Sequence, residues 1–255
     1  MTANIDDTAF ILAAGFGKRL RPYTENKPKP IVEVGGIPMI DQALDKLAEA
    51  GIEKCVVNTH YKAEVLQDHL KQRANQPQAI ISHEPEILDT GGGIAKGLSH
   101  FAAPFFVVSG DSVWEDAAHK PALQQMKDVW DAHKMDILLL LQPVETMTLT
   151  HGVGDYDLDT QGHATRSKDQ NGAYMWTSIR INSPKIFKHA PEGPFSYLEL
   201  LDEAQQQGRL YGIVHDGLWH HISTPEDLEA VNGHKARSEE RRVGKECRSR
   251  WAPYH

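Results

Sequence analysis

The chain has 255 residues, a formal net charge of −8 and 40% hydrophobic residues. The negative charge argues against nucleic acid as a partner, because nucleic-acid-binding domains carry an excess of cations. No apolar run reaches the roughly 18 residues of a membrane-spanning helix, and the N-terminus lacks the pattern of a secretory signal. With two cysteines and no disulfide framework, we expect a cytoplasmic protein with Cys55 in its core.

Short apolar runs alternate with longer amphipathic segments through the first half of the chain. The runs are nearly continuous, which is typical of strands buried on both faces, and they cover residues 10–14, 55–58, 79–82, 105–110 and 137–141. Helical periodicity predicts helices between them, over residues 38–51, 62–73, 93–101 and 119–134. This alternation predicts an α/β fold, a Rossmann-like and mostly parallel mixed sheet with helices on both faces.

The pattern becomes more polar and turn-rich after residue 141. In chain order it predicts a hairpin turn at 159–162, an alternating strand at 174–182, a short helix after Pro184, a helix at 196–208 and paired strands at 210–216 and 218–223. A last helix is expected from the cap Thr224 to about Val231, with Asp227 at the capping-box position.

These elements predict one domain over residues 1–235, in which residues 142–225 form a smaller part that covers the sheet's ligand edge. Residues 236–255 are rich in charge and lack apolar periodicity. We therefore expect that segment to be disordered or a non-native tail.

A glycine pair and five cations follow the first predicted strand. Gly15 and Gly17 let backbone amides approach a phosphate, and the cations are Lys18, Arg19, Arg21, Lys27 and Lys29. A dinucleotide fingerprint would need glycine where Leu20 stands, and a triphosphate P-loop would need Ser or Thr where Arg19 stands. The pattern favours a loop that wraps a polyphosphate with its own arginines, although a solvated turn remains open for the glycine pair alone.

Lys29 lies between two prolines, which stiffen the backbone and hold it extended. A rigidly placed lysine suits a phosphoryl group, and the alternative is an ordinary surface lysine in a proline turn.

Two further motifs carry candidate site residues. The glycine run 91–93 at a helix start either admits a flat ligand or packs under another segment. Asp111 directly follows a buried strand, where ligands of open α/β sheets bind and where a carboxylate beside phosphates suits Mg²⁺. An ordinary turn aspartate after Gly110 is the alternative.

Together the motifs resemble those of the sugar-1-phosphate nucleotidyltransferases. They occur in the family's order at residues 12–24, 28–30, 90–93, 110–111 and 224–227, and the resemblance covers about residues 9–232. It implies the fold of nucleotide-diphospho-sugar transferases, with a nucleotide-binding half at 9–141 and a sugar-binding part at 142–225. The implied reaction joins a nucleoside triphosphate to a sugar 1-phosphate and releases pyrophosphate.

The resemblance also implies roles for individual residues. The catalytic group would comprise Arg19, Lys29 and Asp111, with Asp111 holding Mg²⁺. The nucleotide would contact Leu12, Ala13, Ala14, Gly15, Gly17, Lys29, Glu84, Gly91 and Gly92.

One position departs from the family pattern. The family has an aspartate, its second metal ligand, two residues after a tryptophan, and here His221 stands two residues after Trp219. Imidazole prefers softer ions than Mg²⁺. His221 therefore either binds the metal, holds a metal-bound water or does neither.

Within the family, residues 191–228 most resemble the compact bacterial enzymes that make UDP-N-acetylmuramate during cell-wall recycling. UTP and N-acetylmuramate 1-phosphate are thus the expected substrates. A mannose-1-phosphate guanylyltransferase and a non-catalytic nucleotide-sugar sensor are the alternatives. The sequence leaves a monomer and a homodimer both open.

Overall fold

The computed structural model describes residues 5–250, with side chains described up to residue 240 except at 239. The strands are β1 (Thr8–Leu12), β2 (Glu33–Val34), β3 (Ile37–Pro38), β4 (Lys54–Thr59), β5 (Gln78–His83), β6 (Phe105–Ser109), β7 (Val113–Glu115), β8 (Ile137–Pro143), β9 (Tyr156–Leu158), β10 (Ala164–Arg166), β11 (Tyr174–Asn182), β12 (Leu210–Val214) and β13 (Leu218–His220). The α-helices are α1 (Met39–Glu49), α2 (Ala63–Gln72), α3 (Asp89–Lys96), α4 (Ala122–Val129), α5 (Leu198–Gln206) and α6 (Pro225–Arg250).

A mixed sheet organises the molecule. Its parallel part has the order β6-β1-β4-β5, and Ile11 of β1 pairs with Val57 on one side and Val108 on the other. Strand β11 runs antiparallel to β6 and to β8, and β12 then adds parallel to β8. This confirms the predicted Rossmann-like, mostly parallel sheet.

Helices cover both faces of the sheet, as the nearly continuous apolar runs predicted. On one face the sheet packs against Leu44 of α1, Leu66 of α2 and Met126 of α4. On the other face it packs against Ile94 of α3 and Leu201 of α5. A strand must be apolar throughout to serve two such cores, which explains why its sequence does not alternate.

The strand order reverses at β1. The chain leaves β1 towards β4 and β5, and later returns to the other side of β1 as β6. Open α/β sheets bind ligands in the crevice at the carboxyl ends of the strands at such a switch point. The loops that follow β1 and β6 lie at this crevice.

Two predicted elements differ in the structure. The expected strand pair at 210–216 and 218–223 does not form, because β12 joins β8 in the main sheet while β13 pairs with β7 in a separate two-stranded sheet. Strand β8 is a buried apolar run. Pairing of β12 with β8 removes more apolar surface from water than pairing with the three-residue strand β13 would. Helix α3 begins at Asp89 rather than at Gly93, so the glycine run lies inside the helix.

The last helix starts as predicted and runs further. Thr224 Oγ1 accepts a hydrogen bond from Asp227 N at 3.3 Å, and Asp227 Oδ2 accepts one from Thr224 N at 2.9 Å, which confirms the capping box. The helix continues to Arg250, beyond Val231 and into the segment expected to be disordered, where helix-forming Glu, Arg and Lys predominate. Residues 251–255 lie outside the described residues, and a non-native origin of the tail stays a prediction.

Among residues 5–250, no helix has the length and apolar character needed to cross a membrane.

Candidate functional site

A cavity of about 660 Å³ opens at the crevice beside β1 and β6. It brings together most of the residues singled out in the sequence, namely Leu12, Ala13, Ala14, Gly15, Gly17, Arg19, Lys29, Glu84 and Asp111. Gly91, Gly92 and His221 do not line it. The loops predicted to form one site therefore share one cavity.

The loop after β1 folds back on the Lys29 segment through Gly17. This residue has φ 61°, and its carbonyl accepts a hydrogen bond from Thr24 Oγ1 at 2.8 Å. A Cβ at Gly17 would lie 3.0 Å from Lys29 Cβ, so a side chain here would meet both backbone strain and a close contact. Gly15 faces open space, since no atom of residues 5–250 that the structure describes lies within 4 Å of the position of a Cβ.

A buried hydrogen-bond chain fixes the floor of this loop. Ala13 N donates to Asn58 Oδ1 at 2.6 Å, and Asn58 Nδ2 donates to Glu84 Oε1 at 2.8 Å. Glu84 Oε2 accepts from Leu88 N at 2.9 Å, just before α3. Glu84 is fully buried, so its carboxylate links the β1 loop to the start of α3. Sequence reasoning missed Asn58, although a polar residue at the end of an apolar run was a usable signal.

Lys29 and Asp111 form an ion pair in the cavity. Lys29 Nζ lies 2.5 Å from Asp111 Oδ2, and Ser109 Oγ donates to Asp111 Oδ1. Burial raises the pKa of Asp111, but the charge of Lys29 and these hydrogen bonds outweigh it and bring the pKa below its ordinary value. Asp111 is therefore a carboxylate at neutral pH.

The backbone at Lys29 differs from the expected extended form. Pro28 is extended, but Lys29 begins a short 3₁₀ helix, Lys29–Ile31, in which Pro30 is buried. The buried proline ring anchors the turn, and Lys29 projects from it to Asp111.

Gly91 and Gly92, which the resemblance places beside the nucleotide, pack against another segment of the chain. Their amides donate to Phe195 O at 3.0 and 3.3 Å. A Cβ on Gly91 would lie 2.3 Å from the Phe195 ring, and one on Gly92 would lie 2.4 Å from Gly193 O. Of the two alternatives for this run, the structure shows a helix start packed under another segment.

His221 lies close to the charged groups of the cavity without lining it. Its amide donates to Thr150 Oγ1 at 3.0 Å, and its ring stacks on Trp219 with centroids 5.6 Å apart. Burial, followed by the positive charges of Lys29 and Arg19, lowers the pKa of His221. The imidazole is therefore neutral at pH 7.

The residues present fit Mg²⁺ at Asp111 only in part. Among the described residues, no group of three His, Cys, Asp or Glu side chains could hold a metal. Protein Mg²⁺ sites commonly use one or two carboxylates and take their other ligands from phosphates and water. Asp111 meets that requirement beside a polyphosphate, whereas an imidazole does not match the donor preference of Mg²⁺.

Strand β11 supplies a wall that sequence reasoning missed. Trp176, Ser178 and Arg180 line the cavity together with Tyr197. The signal available was an arginine within the otherwise apolar end of a predicted strand.

Comparisons with known proteins agree with this fold and with the family that the motifs resemble. The family model described as nucleotidyl transferase matches residues 8–238. The chain is 37% identical over 225 residues to the N-acetylmuramate alpha-1-phosphate uridylyltransferase of Caulobacter vibrioides, covering 86% of this chain and 92% of that protein.

A more distant relative and a solved structure show the same likeness. The chain is 30% identical over 228 residues to the mannose-1-phosphate guanylyltransferase catalytic subunit beta of Drosophila pseudoobscura pseudoobscura, covering 86% of this chain and 60% of that subunit. A crystal structure of HddC from Yersinia pseudotuberculosis complexed with GMP-PN superposes with a TM-score of 0.72 at 23% identity, covering 89% of this chain and 98% of HddC.

Proposed function

The chain belongs to the nucleotidyl transferase family, and from that premise we propose that it is a uridylyltransferase acting on N-acetylmuramate 1-phosphate. Its products would be UDP-N-acetylmuramate and pyrophosphate. The observation that carries this proposal is the 37% identity to the Caulobacter enzyme, which extends over 92% of that protein.

The cavity offers the groups that such a transfer needs. A phosphate oxygen of the sugar phosphate attacks the α-phosphorus of UTP, and the bond to the pyrophosphate oxygen breaks. No protein nucleophile takes part, so the site has to position two anions and stabilise the charge that develops. We assign this work to Lys29 and Arg19, with the loop from Ala13 to Gly17 holding the triphosphate.

Asp111 has two roles in this proposal. Its carboxylate holds Lys29 in place before the substrates bind, since the pair is 2.5 Å apart. Asp111 would also hold Mg²⁺, which neutralises phosphate charge when bound. Because the pKa of Asp111 is lowered, the carboxylate stays available throughout the neutral range.

We assign the nucleotide to residues 9–141 and the sugar to residues 142–225, within one domain. Support comes from the cavity, whose β1 and Lys29 walls come from the first part and whose β11 wall comes from the second. We also place the reaction in the cytoplasm, where UTP is available, and in the recycling of peptidoglycan sugars.

A screen of substrate pairs tests the proposal. UTP and GTP are each combined with N-acetylmuramate, N-acetylglucosamine and mannose 1-phosphates in the presence of Mg²⁺, and pyrophosphate release is measured. We expect the highest kcat/KM for UTP with N-acetylmuramate 1-phosphate. A preference for GTP with mannose 1-phosphate would replace the proposal by the function of the Drosophila relative. If no pair of nucleoside triphosphate and sugar 1-phosphate releases pyrophosphate, the result would favour a nucleotide-sugar sensor.

A further inference from the structure

Arg180 is a buried cation whose guanidinium has no carboxylate partner in the part of the chain that the structure describes. Arg180 is 1% exposed, and its Nε and Nη2 atoms have no hydrogen-bond partner among the described residues. The hydrogen bond that Arg180 makes with backbone runs from Nη1 to Ser178 O at 3.3 Å. A buried charge without a counter-ion is costly, so its presence in a cavity wall calls for an explanation.

Arg209 and Arg73, by contrast, have carboxylate partners. Arg209 Nε lies 2.8 Å from Asp136 Oδ1, and Arg73 forms ion pairs with both Asp41 and Asp45. Arg180 instead contacts aromatic rings, with its guanidinium carbon 3.8 Å from the Tyr197 ring centroid and 5.2 Å from that of Trp176. The rings hold the flat cation in place, while Nε and Nη2 stay without a hydrogen-bond partner among the described residues.

Two further donors lie on β11 with Arg180. Trp176 Nε1 and Asn182 Nδ2 are buried and have no hydrogen-bond partner among the described residues. Asn182 Oδ1 accepts from Tyr197 Oη at 2.6 Å, so the amide is fixed in an orientation that leaves its NH₂ group unpaired among the described residues. The cluster is rich in donors and poor in acceptors, which complements an anionic ligand.

The backbone of β11 also points to a ligand. The register with β8 shifts between Trp176 and Arg180, and Ser178 between them has φ 64°. Such bulges re-aim side chains and recur beside functional sites. Here Trp176, Ser178 and Arg180 all line the cavity.

We propose that Arg180 binds a carboxylate on the sugar ring and thereby selects acidic sugar 1-phosphates over neutral ones. This inference rests on the uridylyltransferase function proposed above, because N-acetylmuramate carries a lactyl carboxylate that N-acetylglucosamine lacks. The planar fork of an arginine matches a carboxylate with two parallel hydrogen bonds. The phosphates are left to Lys29 and Arg19 at the other wall.

The test compares two sugar 1-phosphates that differ only in the lactyl group. With UTP, Arg180→Met should lower kcat/KM for N-acetylmuramate 1-phosphate by roughly 10- to 100-fold and leave that for N-acetylglucosamine 1-phosphate unchanged. Arg180→Lys keeps the charge without the fork and should fall between wild type and Arg180→Met. Arg73→Met removes a paired arginine outside the cavity lining and should change neither value. An equal loss for both sugars, or no loss, would overturn the proposal.

A second measurement needs no variant and so does not depend on folding. The wild-type enzyme should have a kcat/KM roughly 10- to 100-fold lower for the methyl ester of N-acetylmuramate 1-phosphate than for the acid. Equal use of ester and acid by wild type would overturn the role of Arg180.

The two proposals fail in different ways. If wild type transfers no uridylyl group to N-acetylmuramate 1-phosphate, the proposed function fails, and the role of Arg180 fails with it. If wild type prefers the acidic sugar and Arg180→Met keeps that preference, the role of Arg180 alone is refuted.

Discussion

At the scale of single residues, Lys29 and Asp111 depend on each other. Burial raises the pKa of Asp111, but the positive charge of Lys29 lowers it and keeps the carboxyl group ionised. In turn, the 2.5 Å contact with Asp111 holds Lys29 in the cavity. Each therefore binds its partner in the free enzyme, and under the proposed function each also acts on the reacting groups in the complex. Removal of either leaves the other charge without its partner.

We predict that Lys29→Ala and Asp111→Ala each lower kcat by about 100- to 1000-fold, as expected for the loss of a group that stabilises developing charge. Pyrophosphate release with UTP and N-acetylmuramate 1-phosphate measures the effect. Lys27→Ala, two residues away and outside the cavity lining, is the matched control and should retain wild-type activity. Wild-type kcat in either site variant would refute the assignment.

His221 gives a separate prediction about the metal. Its ring is neutral and close enough to Lys29, Arg19 and Asp111 for their charges to act on its pKa. An aspartate at this position would add a second carboxylate near Asp111, which suits Mg²⁺ better than imidazole does.

We therefore expect His221→Asp to retain or raise activity and to reach half-maximal rate at a lower Mg²⁺ concentration. The titration is repeated with His221→Asn, which has the size of aspartate without its charge. Complete loss of activity in His221→Asp with normal folding would show that the imidazole has another role.

At the scale of elements, α3 is fixed by contacts of its glycines with the segment that precedes α5. Gly91 and Gly92 bond Phe195 O, and Thr90 Oγ1 accepts from Tyr197 N at 3.0 Å. Phe195 and Tyr197 are buried, and Tyr197 forms part of the cavity wall. The glycines thus act on the site through the position of this segment.

We predict that Gly91→Ala lowers the free energy of unfolding by about 1–3 kcal/mol, because its Cβ would overlap the Phe195 ring. Urea unfolding measures the change. Gly15→Ala, whose Cβ would enter open space, should stay within about 0.5 kcal/mol of wild type. Phe195→Leu in the Gly91→Ala background should recover part of the loss, and an unaffected Gly91→Ala protein would contradict the packing argument.

The elements also show what the sequence could and could not predict. Strands such as β1 and β6 were predictable because burial on both faces leaves a continuous apolar run. The glycine run at 91–93 allowed two interpretations, because Phe195 is about a hundred residues away and only the fold brings it there. The partners of β12 and β13 were likewise set by long-range contacts, with β8 and β7 respectively.

The same limit applies to the site. The β1 loop, Lys29 and Asp111 were predictable because each lies in a local motif at a strand end or proline turn. Asn58 and Arg180 belong to no such motif, and their importance is visible only in the folded surroundings of each side chain. Asn58 matters through Glu84 and Ala13, and Arg180 through the absence of a counter-ion among the described residues.

At the scale of the whole molecule, the switch in strand order explains why one cavity has walls from both parts of the chain. β6 lies between β1 and β11, so the loops after β1 and β6 face side chains from β11. The proposed triphosphate and sugar sites therefore adjoin along the sheet edge.

Stability of the whole molecule should depend on pH through His215. This residue is 2% exposed at the end of β12, and burial lowers the pKa of its imidazole although Asp116 and Asp216 oppose the shift. In the unfolded chain the same group titrates near its ordinary pKa of about 6.5. Between that value and the lower folded pKa, the unfolded state binds a proton that the folded state does not. The free energy of unfolding must then fall as pH drops below 6.5.

We predict that wild type is less stable in urea at pH 5.5 than at pH 7, and that His215→Gln, which cannot be protonated, loses less over the same interval. Between pH 5.5 and pH 7 the pH stays above the ordinary pKa values of carboxyl groups. Protonation of paired carboxylates such as that of Lys29–Asp111 therefore contributes little to the change in stability. Because the glutamine side chain is polar and about as long as that of histidine, the substitution also avoids a large cavity at position 215. An identical pH dependence in wild type and His215→Gln would show that another histidine carries the linkage.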